Sequence, residues 1–209
     1  MALQDFFAQA PRIRVHDALA QFLGAADDGC MEYGYADAVR LAGHSCPTVA
    51  GAFLMARAAL RALYPDTTPE RGGIRVDMGG GEGEGTHGVI AQVFTLVTGA
   101  AADNGFHGIA GQFVRRGLLR HGVAGVRGIA RFTRVDDGSA VEVWLDVSGI
   151  PPAPQMRMLM GRALAVDASA AERAEFGRVW QQRVRSLLLE HADDPAVIIV
   201  ERHGHAARA

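Results

Sequence analysis

"AGHSCPTVAGAFLMARAALRALYP", residues 42–65, is the stretch on which the reading of this chain turns. Behind Pro47, the apolar positions Val49, Phe53, Ala56, Leu60 and Leu63 recur at the spacing of one helix face. Proline suits the first helical position, where a missing N–H leaves no bond unmade, and Pro65 stops the run. The spacing predicts a helix over 46–63 that starts at Cys46 or Pro47, with Ser45 or Cys46 as its N-cap. A cysteine therefore sits at a helix start with His44 two residues before it. Such a terminus presents free N–H groups and partial positive charge, which favour a thiolate.

On the N-terminal side, residues 16–24 have the apolar spacing of a short helix stopped by Gly24, and Asp37 to Leu41 continue a helical pattern into the quoted stretch. Cys30 follows "GAADDG" and reads as part of a polar turn. On the C-terminal side, "GGIRVDMGGG" (72–81) reads as a strand with Ile74, Val76 and Met78 alternating, and "THGVIAQVFTLVTGA" (86–100) as a second, largely buried helix. The glycine-punctuated 101–119 reads as loop plus a short helix. Residues 127–149 carry two alternating runs joined by Asp-Asp-Gly-Ser, a hairpin signal. Residues 152–165 and 169–191 read as helices, the latter opened by a capping box of Ser169 and Glu172. "AVIIVER" (196–202) reads as a short buried strand. The order does not alternate regularly enough for a doubly wound sheet. The expected fold is α+β, a mixed β-sheet flanked by helices with a helical C-terminal extension, in a single domain over 1–209.

Composition sets the outer limits. Of 209 residues, 49% are hydrophobic and 21% charged, enough for a sizeable core and against disorder. The formal net charge of −2 makes no electrostatic case for nucleic acid or anionic lipid. No apolar run approaches the roughly 20 residues that span a bilayer, and the opening residues do not read as a signal peptide. A cytoplasmic address follows as the expectation, in which two cysteines are thiols or ligands rather than a disulfide.

Several other residues bear on the chemistry. A thiolate and a neutral imidazole are ligands for zinc, iron or copper, but one cysteine and one histidine make at most half a tetrahedral site, and no CxxC completes it. His87 opens a helix after the glycine-rich, acidic "GGGEGEGTHG" (79–88), whose Glu82 and Glu84 are oxygen donors more often merely solvated; His107 in "DNGFHG" has the same standing. The glycines form neither GxGxxG after a strand nor a phosphate loop, which argues against nucleotide binding. His203 and His205 fall in a terminal stretch read as disordered. Cys46 acting as a nucleophile with His44 as its base is the main alternative to metal binding.

Gly43, His44, Ser45, Cys46 and Pro47, in front of an apolar helix, resemble the Gly-His-x-Cys-Pro motif of the FmdE-like family of formylmethanofuran dehydrogenase components. A second segment, Ala91-Gln92 through Thr98-Gly99, is similar to that family's Ile-Gln helix ending in Thr-Gly. Together they cover about residues 30 to 120. The resemblance implies an α+β fold and a metal centre that uses the motif's histidine and cysteine. The chain departs from the family pattern at Ala100 and near Thr86, where cysteines often stand, and no cysteine follows Cys46, so a C-terminal zinc ribbon is absent. His87, beside the missing cysteine position, is the substitute the resemblance points to. The implied site is His44, Cys46 and His87, with zinc or iron as the metal and haem left open. Cys30, Glu82, Glu84 and His107 are further candidates to complete it. A small-molecule ligand and a second copy of the chain are the expected partners. Methanofuran chemistry is not implied. A structural accessory protein, in which the motif only shapes a helix start, is the remaining alternative.

Overall fold

A computed structural model describes residues 3–203. After a short 3₁₀ helix (Asp5–Gln9), the elements are β1 (Ile13–His16), α1 (Ala18–Phe22), β2 (Cys30–Tyr33), α2 (Tyr35–Ala42), α3 (Pro47–Leu63), β3 (Ile74–Met78), α4 (His87–Thr98), β4 (Leu119–Arg120), β5 (Ala130–Arg134), β6 (Ala140–Leu145), α5 (Met156–Ala163), α6 (Ala170–Leu189) and β7 (Ile198–His203). The class is α+β. A mixed sheet in the order β4-β3-β5-β6-β7 is parallel at β3/β4 and antiparallel elsewhere, and β1 and β2 form a separate antiparallel pair.

α3 is the centre of the molecule. Cys46 is its N-cap and Pro47 its first residue, as the spacing predicts. The apolar stripe predicts one buried face, yet Val49 through Ala56 are all buried. The reason is that α2, α4, α6 and strands β6 and β7 surround the helix. Small residues make this approach feasible: a Cβ at Gly51 would fall 2.3 Å from the Leu145 side chain, so α3 sits directly on β6. Ile74, Val76 and Met78 of β3 and Val141 and Val143 of β6 fill the same core.

The opposite face of the sheet is built from charge. One cross-strand row runs Arg120, Asp77, Arg131, Glu142, Glu201 through all five strands. Arg120 pairs with Asp77 at 2.6 Å and Arg131 with Glu142 at 2.6 Å. Glu142 is fully buried, and its second oxygen accepts from the N–H groups of Arg127 and Gly128. Burial pushes this carboxyl up, but the Arg131 guanidinium and those two N–H groups outweigh it and hold it below the usual range. The N-terminal part is tied down in a similar way. Asp17 caps α1 through Leu19 and Ala20 and pairs with Arg71 (2.8 Å) and Arg115 (2.7 Å).

Four local readings are corrected. Residues 101–118 form no helix: Gly108, Gly111 and Gly117 have φ of +93°, +79° and +72°, which no right-handed helix propagates through. Cys30 starts a strand, because Cys30–Tyr33 pairs in antiparallel register with β1, a partner its own polar flank does not announce. His16 ends β1, and α1 begins only after the Asp17 cap. β7 is an edge strand with much of its length partly or fully exposed, and it includes His203, which the sequence assigns to a disordered tail. His203 Nε2 lies 3.0 Å from Glu142 of β6 without making a hydrogen bond among the described residues. His205 lies outside the described residues.

Candidate thiol site at the start of the central helix

Residues 43–46 are the link between α2 and α3. Gly43 caps α2 in the left-handed conformation, with φ of +74° that favours glycine. This turns the chain so that the carbonyl end of α2 and the N–H end of α3 face the same four residues. The His44 Nδ1–H donates to the carbonyl of Ala42, the last residue of α2, at 2.9 Å. A carbonyl only accepts, so in the neutral ring Nδ1 carries the hydrogen and Nε2 carries the lone pair. That Nε2 lies 3.4 Å from Cys46 Sγ. Sγ in turn accepts from the Val49 N–H at 3.4 Å, the capping bond of α3. His44 is exposed and Cys46 partly buried, so the pair stands at the surface of a rigid core.

The arrangement has a chemical consequence. If the Sγ proton passes to Nε2, the negative charge rests at the positive end of α3 and the positive charge beside the carbonyl end of α2.

Ser45 is the anchor of the link. Its carbonyl accepts from Trp180 Nε1–H (2.9 Å) and from Gln181 Nε2–H (3.1 Å), both on α6. Its hydroxyl donates to Gln181 Oε1 (2.9 Å). The hydroxyl has one hydrogen, so Tyr35 O–H is the donor in the 2.9 Å contact to Ser45 Oγ. Tyr35 is fully buried, and burial pushes its phenol well up, which keeps that hydrogen in place. Sequence reasoning singles out none of Tyr35, Trp180 and Gln181. Only Tyr35 is near the motif in the chain, and nothing in its local pattern marks it.

The other candidate residues stand apart in character. The His87 ring lies on Gly80, where a Cβ would fall 2.4 Å from it, and its Nδ1 is buried without a hydrogen-bond partner among the described residues. His121, which the sequence does not single out, also has a buried Nδ1 with no partner among them; the neighbouring Gly122 N–H bonds to the Gly80 carbonyl at 2.9 Å. Glu84 closes the glycine loop by accepting from Gly81 N–H (3.0 Å), while Glu82 and His107 are exposed. Cys30 is exposed, and the Asp28 carboxylate hydrogen-bonded to it pushes its thiol up. Among the described residues, no three His, Cys, Asp or Glu side chains converge as a metal would need. The donors brought together are two, His44 and Cys46, which is half of a tetrahedral shell rather than the three-ligand shell the resemblance implies.

A cleft of about 680 Å³ lies beside the exposed side of α4. Its wall includes Leu41 of α2, three residues before His44, together with Glu82, Val89, Gln92, Asn104 and His121. No helix among the described residues is long and apolar enough to cross a membrane. Compared with known proteins, the chain matches no family model and none of the curated proteins.

Proposed function

We propose that the chain works through Cys46 as a nucleophile, with His44 as the base that takes its proton. The observation that carries this reading is the 3.4 Å approach of Nε2 to Sγ with the other ring nitrogen held on a carbonyl. In the reaction class proposed, Sγ bonds to an electrophilic carbon of a small molecule while its proton moves to Nε2, and His44 returns that proton to the departing group. Two unbonded cysteines fit a reducing, cytoplasmic compartment.

The metal reading of the FmdE-like resemblance has one observation in its favour. A sulfur and a nitrogen bound to one tetrahedral zinc stand about 3.6 Å apart, from bonds of roughly 2.3 and 2.05 Å. The pair is at 3.4 Å, and a ligating imidazole is commonly held by a carbonyl at its other nitrogen. The remaining ligands would have to come from water or a second copy of the chain.

One experiment separates the readings. Cys46 is labelled with iodoacetamide before and after chelator treatment, and zinc and iron are measured in the same preparation. Fast labelling unchanged by chelator, slowed about tenfold or more in His44→Gln, is the expected result for a general base. Stoichiometric metal lost in Cys46→Ala, with labelling that appears only after chelation, would replace the nucleophile by a metal centre. Neither metal nor a His44 effect would leave the motif as a helix start in an accessory protein.

A further inference from the structure

We infer that the C-terminal helix α6 is part of the site, with Trp180 and Gln181 as positioning residues for the His44–Cys46 pair; the inference rests on the proposed nucleophile reading.

Gly43 and Cys46 are held by the helices they cap, and His44 and Ser45 between them have little else to hold them. His44 is exposed, and apart from Cys46 its ring bonds to Ala42, two residues away. Ser45 sits between the two reacting residues. Among the described residues, the hydrogen bonds that reach its carbonyl and hydroxyl come from Tyr35, Trp180 and Gln181. Two of the three lie on a helix about 135 residues away in sequence. They act on opposite sides of one residue: the indole and amide N–H groups hold the carbonyl, and the amide oxygen holds the hydroxyl. Ser45 is thereby fixed in both position and rotation about its backbone. Since His44 and Cys46 are its two chain neighbours, their side chains are fixed relative to each other. Loss of the clamp frees His44 and Ser45 between the two helix caps, and the Nε2–Sγ approach is then one of many arrangements.

The α6 side is built for this. Val179, Val184, Leu187 and Leu188 bury one side of the helix in the core, so the neighbouring Trp180 and Gln181 are carried on a rigid support. Nothing about Trp180 or Gln181 requires them to touch substrate, so their effect passes through the geometry of the pair.

The test uses the full chain with Cys30→Ser, so that Cys46 is the one thiol. Iodoacetamide rates are measured at about pH 7 and at about pH 10, where an accessible thiol ionises without a base. Trp180→Phe, Gln181→Leu and the double variant are compared with the parent and with His44→Gln. Thermal unfolding is followed alongside. The expected result at pH 7 is a fall of about threefold for Trp180→Phe, which loses one hydrogen bond, more for Gln181→Leu, which loses two, and about tenfold or more for the double, which loses all three. At pH 10 all rates coincide, which a merely loosened or unfolded protein would not give. Should the double variant not fold, the singles carry the test. If His44→Gln slows labelling at pH 7 and the clamp variants match the parent there, the clamp is overturned while the nucleophile reading stands. If His44→Gln itself matches the parent, the nucleophile reading falls and the clamp with it.

Discussion

The two cysteines of this chain lie at two elements' starts, and their surroundings are opposite. Cys46 caps a long buried helix, takes an N–H from Val49 and faces an imidazole. Cys30 opens a short strand of the separate β1–β2 pair, is exposed, and has Asp28 beside it with its own backbone N–H bonded to that carboxylate at 2.9 Å. At Cys46 a departing proton has an acceptor, and Sγ keeps the Val49 N–H. At Cys30 a carboxylate opposes the charge of a thiolate. Exposure by itself would rank Cys30 as the more reactive thiol; the nucleophile proposed above ranks Cys46 first. The difference between the two thiols lies in their partner atoms rather than in access.

The largest expected effect is on that ranking. In single-cysteine variants, Cys46 (with Cys30→Ser) should react with iodoacetamide about tenfold or more faster than Cys30 (with Cys46→Ser) near pH 7. Asp28→Asn removes the carboxylate that pushes the Cys30 thiol up, so it should speed Cys30 severalfold and leave Cys46 unchanged. Equal rates for the two thiols would end the comparison.

A smaller effect is on stability. Cys46→Ala removes the capping acceptor of α3 and should cost about 1 kcal/mol in urea denaturation, while Cys46→Ser keeps an acceptor and should recover much of it. Cys30→Ala removes no cap and no buried contact, so its denaturation midpoint should match the parent. A Cys46→Ala protein as stable as the parent would show that Val49 N–H finds water without cost.

The smallest effect belongs to the β1–β2 side. His16 lies opposite Cys30 in the register, and its Nδ1 meets Glu70 at 2.6 Å. The hydrogen bond to Glu70 raises the His16 pKa above its ordinary value, against a partial offset from burial. A raised folded-state pKa means the tie is fully present below the unfolded value of about 6.5 and is lost as pH rises through the folded value. Both side chains are about a third or more exposed, so the contribution is a few tenths of a kcal/mol. An NMR titration of His16 should give a midpoint above that of a free histidine in the parent and near it in Glu70→Gln. No such difference would remove the ion pair from the account of this region.

Parts of the fold were legible because their causes are close together in the chain. The helix 47–63, its proline start and cysteine cap, the Ser169–Glu172 capping box and the 130–145 hairpin each rest on residues within a few positions of one another. The capping box forms as its spacing predicts, with Glu172 N–H on Ser169 Oγ at 3.2 Å and Ser169 N–H on Glu172 at 2.9 Å. The approach of His44 to Cys46 does not belong to that class: a histidine two residues before a cap can point elsewhere, and Ser45 between them is held from α6. The misread elements are those whose stability is borrowed. β2 needs β1, β4 needs β3, and β7 with His203 needs β6, none of which a local pattern reports.

By itself, then, the sequence determined the helix that centres this protein and the chemistry of the two side chains at its start, because backbone sterics and short-range hydrogen bonds act over a few residues. Tertiary structure alone decided what holds those side chains in place. Trp180 and Gln181 reach Ser45 across about 135 residues, Arg115 reaches Asp17 across 98, and five strands from separate stretches align one row of charge. Such contacts exist only after the apolar faces of α3, α6 and the sheet have been buried together. That burial is non-directional, so its pattern in sequence says which residues go inside but not which polar atoms it will bring to each other.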